Sequence, residues 1–253
     1  MSSLLIVFII FACMLSGILL GSYFHYILPD QHTKAESKDI LLTTAGTMGT
    51  LIALIIGLLV TSAKDTYDVT NATLTQGGAE IITLDYYLSH YGAEAERVRV
   101  LLRQEVASTI KRIWPDENTH KVDLAKMESA SGMSDLYNKI RELSPHNDSQ
   151  KYLRTQALHI GADMMQSRWM IIEQSQTNLP TIFLVVLTFL LTVLFTQFAL
   201  LAPDNMTVKS ALFICAISMS GAIFLILELN HPLEGVIKVS SAPLHKALSL
   251  IGK

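Results

Sequence analysis

Four uncharged apolar stretches constrain the fold of this chain more than any motif in it. Lys, Arg, Asp and Glu are absent from residues 1–29, 40–63, 174–203 and 210–227. A membrane-spanning helix needs about 20 apolar residues, because the hydrocarbon core of a bilayer is about 30 Å thick and a helix rises about 1.5 Å per residue. The sequence therefore predicts four transmembrane helices, grouped two and two around a charged middle segment.

The composition agrees with a membrane protein and disfavours several other classes. Charged residues make up 16% of the chain, against about 25% in an ordinary soluble domain. The net charge of −3 argues against a nucleic-acid partner, because such binding needs a concentrated basic face. Cys13 and Cys215 both fall inside apolar stretches, without the spacing of a disulfide framework or a metal site. We therefore expect no metal, no cofactor and no nucleic acid, and the lipid bilayer as the main surrounding.

The alternation of apolar and charged segments predicts an all-α, polytopic membrane protein made of two hairpin-like pairs of helices. Residues 1–63 would hold transmembrane helices 1 and 2, and residues 64–173 a helical cytoplasmic domain. Residues 174–229 would hold transmembrane helices 3 and 4, and residues 230–253 a cytoplasmic tail. In the first helix, Gly17 and Gly21 have the small-xxx-small spacing that permits close helix contact.

The distribution of basic residues predicts the orientation. Only three of the 19 Lys and Arg residues, Lys34, Lys38 and Lys209, fall in the two short loops that would lie on the far side of the membrane. Basic residues near the ends of spans favour the cytoplasmic side. Both termini and the middle domain are therefore expected in the cytoplasm.

The second membrane helix is predicted to run on into the middle domain. Apolar residues recur at helical spacing from Leu74 to Tyr91 without an intervening proline. Gly77 and Gly78 indicate either a bend or very close packing within that helix. Gly92 is a natural end.

Three more helical segments are expected in the domain, separated by one segment of unclear structure. A helix over residues 93–114 is followed by a loop at 116–133 with a short helix around Leu124. Ser134 is expected to cap the next helix, and a turn cluster at residues 144–148 ends it. A long helix over residues 152–172 then leads toward Pro180 and the third span.

The second apolar stretch carries the most informative polar pattern. One stripe at helical spacing consists of Thr43, Thr47, Thr50, Leu54, Gly57 and Thr61, and a second stripe of small residues consists of Ala45, Gly49, Ala53 and Gly57. Small residues favour close helix packing in lipid, whereas a threonine face in a ring of subunits could line a pore. Leu54 and Leu58 would then form an apolar constriction of the kind that gates by dewetting. Both a packing helix and a pore-lining helix fit this pattern.

The chain after the fourth span carries two short elements. The first reads Asn230, His231, Pro232, Leu233, Glu234, Gly235, and the second reads Ser240, Ser241, Ala242, Pro243, Leu244. In these elements the chain resembles the bestrophin-like family of mostly bacterial membrane proteins, which has an acid-x-Pro-Phe-x-Gly element followed by a Ser-x-x-Pro-Leu element. The acid and the Phe of the first element are replaced here. A post-membrane turn is expected at Asn230, His231, Pro232 and Gly235, followed by a short helix from Pro243 whose apolar side packs on the domain, on a neighbouring subunit or in the lipid interface.

The resemblance implies a function and a site. Bestrophins are pentameric anion channels whose central pore is lined by the second membrane helix and its cytoplasmic extension. The resemblance thus implies a homo-oligomer in the bacterial inner membrane that passes small inorganic ions. The acidic calcium-binding pattern of the animal proteins is not recognisable, and the cluster of Asp116, Glu117 and Asn118 is typical of a solvated turn.

Two classes of function are compatible with the sequence. The first is a passive ion channel. The second is a membrane-anchored sensor or scaffold whose helical cytoplasmic domain binds a protein partner without conducting ions. An enzyme is not expected, because the sequence has no GxSxG, Walker-type loop or HExxH motif.

Overall fold

The computed structural model describes residues 3–27, 35–114, 132–176, 181–203 and 205–252. The chain divides into two compact units. The first unit comprises Met1–Asp65 and Asn178–Asn230, and the second comprises Thr66–Thr177 and His231–Lys253.

The described residues are helical almost throughout, which confirms the predicted all-α class. In chain order the helices are α1 (Ser3–Ile27), α2 (Ala35–Tyr91), α3 (Glu96–Ile113), α4 (Gly132–Glu142), α5 (Asp148–Gln176), α6 (Thr181–Leu201), α7 (Met206–Leu229) and α8 (Ala242–Leu250). A short 3-10 turn, Ala93–Ala95, joins α2 to α3. Four of these helices are long and apolar enough to cross a membrane: α1, α2, α6 and α7. The four predicted spans are confirmed on length and composition.

The first unit packs these apolar helices around a shared core. Buried side chains from α1, α2, α6 and α7 form one cluster that includes Met14, Ile52, Leu191 and Ile223. Helix α1 packs against both α6 and α7.

The predicted close contact at the α1 glycines is confirmed, and its partner is α6. A Cβ atom added to Gly17 would lie 2.6 Å from the carbonyl oxygen of Thr192, and one added to Gly21 would meet the carbonyl oxygen of Thr196. The two glycines therefore let the α1 and α6 backbones touch, which is how helices associate closely in lipid.

The second unit has its own apolar core. Its buried cluster includes Leu84 from α2, Leu102 from α3 and Ile140 from α4, together with side chains from α5 and from the C-terminal segment. Helix α2 continues without a break to Tyr91, as the apolar spacing predicts. Gly92, with φ of 122°, then takes a backbone conformation that favours glycine and turns the chain toward α3.

The two adjacent glycines of α2 behave differently. A Cβ atom on Gly78 would lie 3.0 Å from the carbonyl oxygen of Pro243, whereas a Cβ atom on Gly77 would meet nothing within 4 Å among the described atoms. Gly78 thus confirms the close-packing alternative predicted for this pair. It allows the N-terminus of α8 to approach α2.

The short C-terminal helix packs on the domain. Helix α8 begins at Ala242 with Pro243 in its first turn. Leu244, Ala247 and Ile251 are buried in the core of the second unit, and α8 contacts α3. Three environments were predicted for this apolar side of the helix: the domain, a neighbouring subunit and the lipid interface. The structure shows it packed on the domain.

An ion pair between Asp85 and Arg99 has little exposure to solvent and also contacts the C-terminal segment. The Asp85 carboxylate on α2 accepts hydrogen bonds from Arg99 Nε at 2.9 Å and Nη2 at 3.2 Å. It also accepts one from the backbone N–H of Gly252 at 3.2 Å. Hydrogen bonding to Asp85 raises the pKa of Arg99 above its ordinary value. The Asp85 carboxylate therefore links α2 to α3 through Arg99 and to the segment after α8 through Gly252.

Two helix starts differ from the predicted ones. Helix α4 begins at Gly132, so Ser134 lies inside its first turn and the predicted Ser134 cap is wrong. Gly132 lies against the Glu105 carboxylate of α3, where a Cβ atom would collide. Helix α3 begins at Glu96 because the 3-10 turn precedes it. The predictions for Pro180, for the cluster Asp116, Glu117 and Asn118, and for most of segment 116–133 lie outside the described residues.

Candidate pore-lining face of the second helix

One face of α2 in the first unit is buried in the core that it shares with the other three apolar helices. Ala45, Ile52, Leu59 and Ala63 are each at most 5% exposed and belong to the shared core of the unit. They follow one another by seven, seven and four residues, which places them in one row along a helix. We call this row the core face of α2.

The predicted threonine stripe lies on the opposite side of the helix. Each of its members is exposed: Thr43, Thr47, Thr50, Leu54, Gly57, Leu58 and Thr61. At about 100° of rotation per residue, the mean direction of this set is about 170° from that of the core face. We call this set the threonine face. The described part of the chain therefore leaves it uncovered.

The hydroxyl groups of the threonine face are all turned back onto the helix. Thr43 donates to the carbonyl oxygen of Asp39 at 2.8 Å, and Thr47 donates to that of Thr43 at 3.0 Å. Thr50 and Thr61 donate in the same way to the carbonyl oxygens of Gly46 and Gly57, both at 3.0 Å. A hydroxyl has one donor hydrogen and two acceptor lone pairs. Each of these hydroxyl groups therefore has a hydrogen-bond partner within its own helix, and its oxygen keeps acceptor capacity.

The stripe of small residues is divided between two environments. Ala45 is 1% exposed and packs in the core of its own unit. Ala53 is exposed and Gly49 is partly exposed. A Cβ atom added to Gly46, Gly49 or Gly57 would meet nothing within 4 Å among the described atoms. The side of α2 next to the threonine face is thus open to a neighbouring helix.

The threonine face extends beyond the residues that the sequence pattern selected. Asp39 precedes Thr43 by four residues and Asp65 follows Thr61 by four, and both side chains are exposed. On the same rotation per residue, each carboxylate points within about 45° of the mean direction of the face. Both positions lie just outside the uncharged stretch 40–63, and the helical spacing of the stripe reaches them when it is continued by one turn at each end.

The chain turns directly after α7. Asn230 is the C-cap of α7, and its backbone N–H donates to the carbonyl oxygen of Ile226. In the next segment, Glu234 N donates to the carbonyl oxygen of His231 at 3.0 Å and Val239 N donates to that of Pro232 at 2.8 Å. Gly235 has φ of 84°, which L side chains rarely adopt. These bonds fold residues 231–239 into a tight turn before α8.

Comparison with known proteins places this arrangement in a family. The sequence model described as "Bestrophin-like domain" matches residues 9–244. The chain belongs to the bestrophin-like family. No curated protein sequence matches it.

Solved structures of bacterial bestrophin homologues share the fold. Two crystal structures of mutants of a homologue from Klebsiella pneumoniae align with TM-scores of 0.64 and 0.63, at 14% and 13% identity. The first alignment covers 94% of this chain and 97% of the other, and the second covers 99% of each. At this identity the likeness establishes the fold. The bestrophin-like fold and four apolar helices identify an integral membrane protein.

Proposed function

We propose that this protein is a passive ion channel, in which several copies of the chain surround a shared pore lined by the threonine face of α2. The observation that carries the proposal is that this polar row is exposed in the chain and lies opposite the row that is buried in the core shared with α1, α6 and α7. A closed ring of subunits could turn such a face toward a common axis. Five subunits are expected from the family resemblance.

The pore lining would be weakly polar, with one apolar section formed by leucine side chains. Leu54 and Leu58 are 62% and 64% exposed and lie between the threonines. In a ring they would form a hydrophobic constriction that opens and closes by wetting. The continuation of α2 to Tyr91 would extend the pore wall past the membrane. The face carries no ionisable group between Ile40 and Ala63, so the arrangement fits a passive path better than a proton pump.

The proposal also includes an orientation. The scarcity of Lys and Arg in the two short loops supports an inner-membrane protein with both termini and the domain in the cytoplasm. Anion conduction is the expectation inherited from the resemblance.

Thiol accessibility tests the pore-lining role directly. In a background with Cys13 and Cys215 replaced by Ser, Thr50→Cys should react with a water-soluble thiol reagent and lose conductance in bilayers. The matched control is Ile52→Cys, two residues away on the core face and 2% exposed, which should not react.

The outcome separates the channel from the sensor or scaffold. A channel requires conductance in purified protein, a ring by mass photometry, and block at Thr50→Cys only. A non-conducting monomer or dimer in which Thr50→Cys is inert to the reagent would overturn the channel and favour the scaffold.

A further inference from the structure

We infer that a cavity in the second unit binds a small organic cation, whose ammonium group contacts the Glu80 carboxylate and whose apolar body packs against the side chains around it. None of the residues that line this cavity belongs to the threonine face. The inference therefore does not depend on the proposed channel.

The cavity is bordered by five helices of the second unit: α2, α3, α4, α5 and α8. Its volume is about 90 Å³, whereas a single water molecule needs about 10–15 Å³ of accessible space. Most of its wall is apolar, and each helix contributes to that part through Ile81, Ile113, Met133, Met164 or Leu244. A largely apolar wall with a few polar groups is typical of a site for a small organic molecule.

A glycine lies in the middle of the α2 face that lines the cavity. Thr73, Gly77 and Glu80 all border the space, and their spacing of four and three residues places them in one row along the helix. A Cβ atom added to Gly77 would meet nothing within 4 Å among the described atoms. The open space therefore reaches the backbone of α2 at Gly77, about one helical turn from Glu80.

The carboxylate of Glu80 is only partly satisfied by the described residues. Its Oε1 accepts a hydrogen bond from Gln76 Nε2 at 2.8 Å. Its Oε2 is buried and has no hydrogen-bond partner within the described part of the chain, which is rare for a buried polar atom. Leaving a buried charged group without a partner is costly. Because a Glu carboxylate turns readily about its last bond, an ammonium group in the cavity can donate to it.

The other charged groups of the wall lie close to opposite charges. Arg112 forms an ion pair with Glu105 at 3.6 Å. The pKa of Arg168 is lowered, chiefly by burial, while the nearby charge of Glu105 opposes that shift. Glu80, by contrast, is bonded only to a neutral amide among the described residues. One such carboxylate beside an apolar wall suits an alkylammonium ion better than a metal ion, which needs several oxygen ligands.

Thermal unfolding of the full chain in detergent tests the site with three probes of one carbon skeleton: isopentylammonium, isopentyl alcohol and isovalerate. Tryptophan emission reports on the second unit, to which both tryptophans belong. At about ten times its Kd, the ammonium probe should raise Tm by about 3–6 °C. The neutral alcohol should raise Tm less, and the anionic isovalerate should not raise it.

Two variants test whether the ammonium probe occupies the cavity. Glu80→Gln removes the charge at almost constant size and should weaken the affinity about tenfold or more. Gly77→Val should also weaken it by filling the space, without a clash among the described atoms. The matched control is Glu142→Gln, which removes a carboxylate that is 62% exposed and does not line the cavity. This control should leave the Tm shift unchanged.

The outcomes are distinct from those of the channel experiments. A Tm shift no larger than that caused by the alcohol, or a shift that Glu80→Gln leaves unchanged, would overturn the inference. A larger shift with isovalerate would also overturn it, because the two arginines would then recognise the ligand. Should Gly77→Val fail to fold, the nearly isosteric Glu80→Gln still decides. Conductance is not measured here, so the proposed channel stands or falls separately.

Discussion

Removing the Asp85 carboxylate should destabilise the second unit strongly. Its side chain and that of Arg99 are each 12% exposed, and it accepts two hydrogen bonds from Arg99 and one from Gly252. Removing one partner of a buried pair costs about 3–5 kcal/mol, because the other charge stays buried without compensation. Arg99 keeps a 3.0 Å contact with Glu96, whose side chain is 61% exposed. We therefore expect about 3 kcal/mol for Asp85→Ala, the low end of that range.

Intrinsic fluorescence can measure this loss in detergent. Both tryptophans, Trp114 and Trp169, belong to the second unit, so thermal unfolding followed by tryptophan emission reports on that unit. A loss of about 3 kcal/mol should lower Tm by about 6–12 °C, at about 2–4 °C per kcal/mol for a domain of this size.

Two further variants test this role of Asp85. Lys139→Gln breaks an exposed ion pair with Glu142 and should change stability by less than about 1 kcal/mol. Adding Arg99→Met to Asp85→Ala should recover part of the lost Tm, because the charge that has lost its Asp85 partner is then replaced by an apolar side chain. If Asp85→Ala shifts Tm no more than Lys139→Gln, or the double variant is no more stable than Asp85→Ala, the pair does not hold the unit together as argued.

Two further predictions concern glycines that lie in close contact, and each is compared with a glycine that has free space around it. Gly17→Leu should disrupt the contact between α1 and α6, seen as a smaller monodisperse fraction on size exclusion. Gly221→Leu on α7, where a Cβ atom meets nothing within 4 Å among the described atoms, should not; equal profiles would contradict the contact. Gly78→Val should cost about 1–3 kcal/mol by overpacking against Pro243 and lower Tm accordingly. Gly77→Val should cost less, so equal shifts in Tm would contradict the close approach of α8.

Much of the fold follows from the chain's own periodicity. The length of each uncharged stretch predicts the four spans. The continuation of α2 to Tyr91 follows because apolar residues recur at helical spacing and no proline interrupts them. The short helix at Pro243 was also predictable, because proline fits the first turn of a helix. These features depend on residues near one another in sequence.

Other features depend on contacts between distant segments. Gly77 and Gly78 are equivalent by sequence, yet only Gly78 meets Pro243. The glycines of α1 could have served any neighbouring span, and the structure pairs them with α6. Helix α4 begins at Gly132, two residues before the Ser134 that carries the local cap signal. In the stripe of small residues, Ala45 is buried while Ala53 is exposed.

The sequence by itself determined that α2 has a threonine face at helical spacing, because side-chain direction along a helix follows from residue number alone. It also determined the length of each span, which the thickness of the bilayer dictates. Only the tertiary structure decided that the opposite face of α2 is the one buried in the core shared with α1, α6 and α7. Burial depends on which surfaces of distant helices fit together, and that fit leaves the threonines, with Asp39 and Asp65 at their ends, uncovered by the described residues.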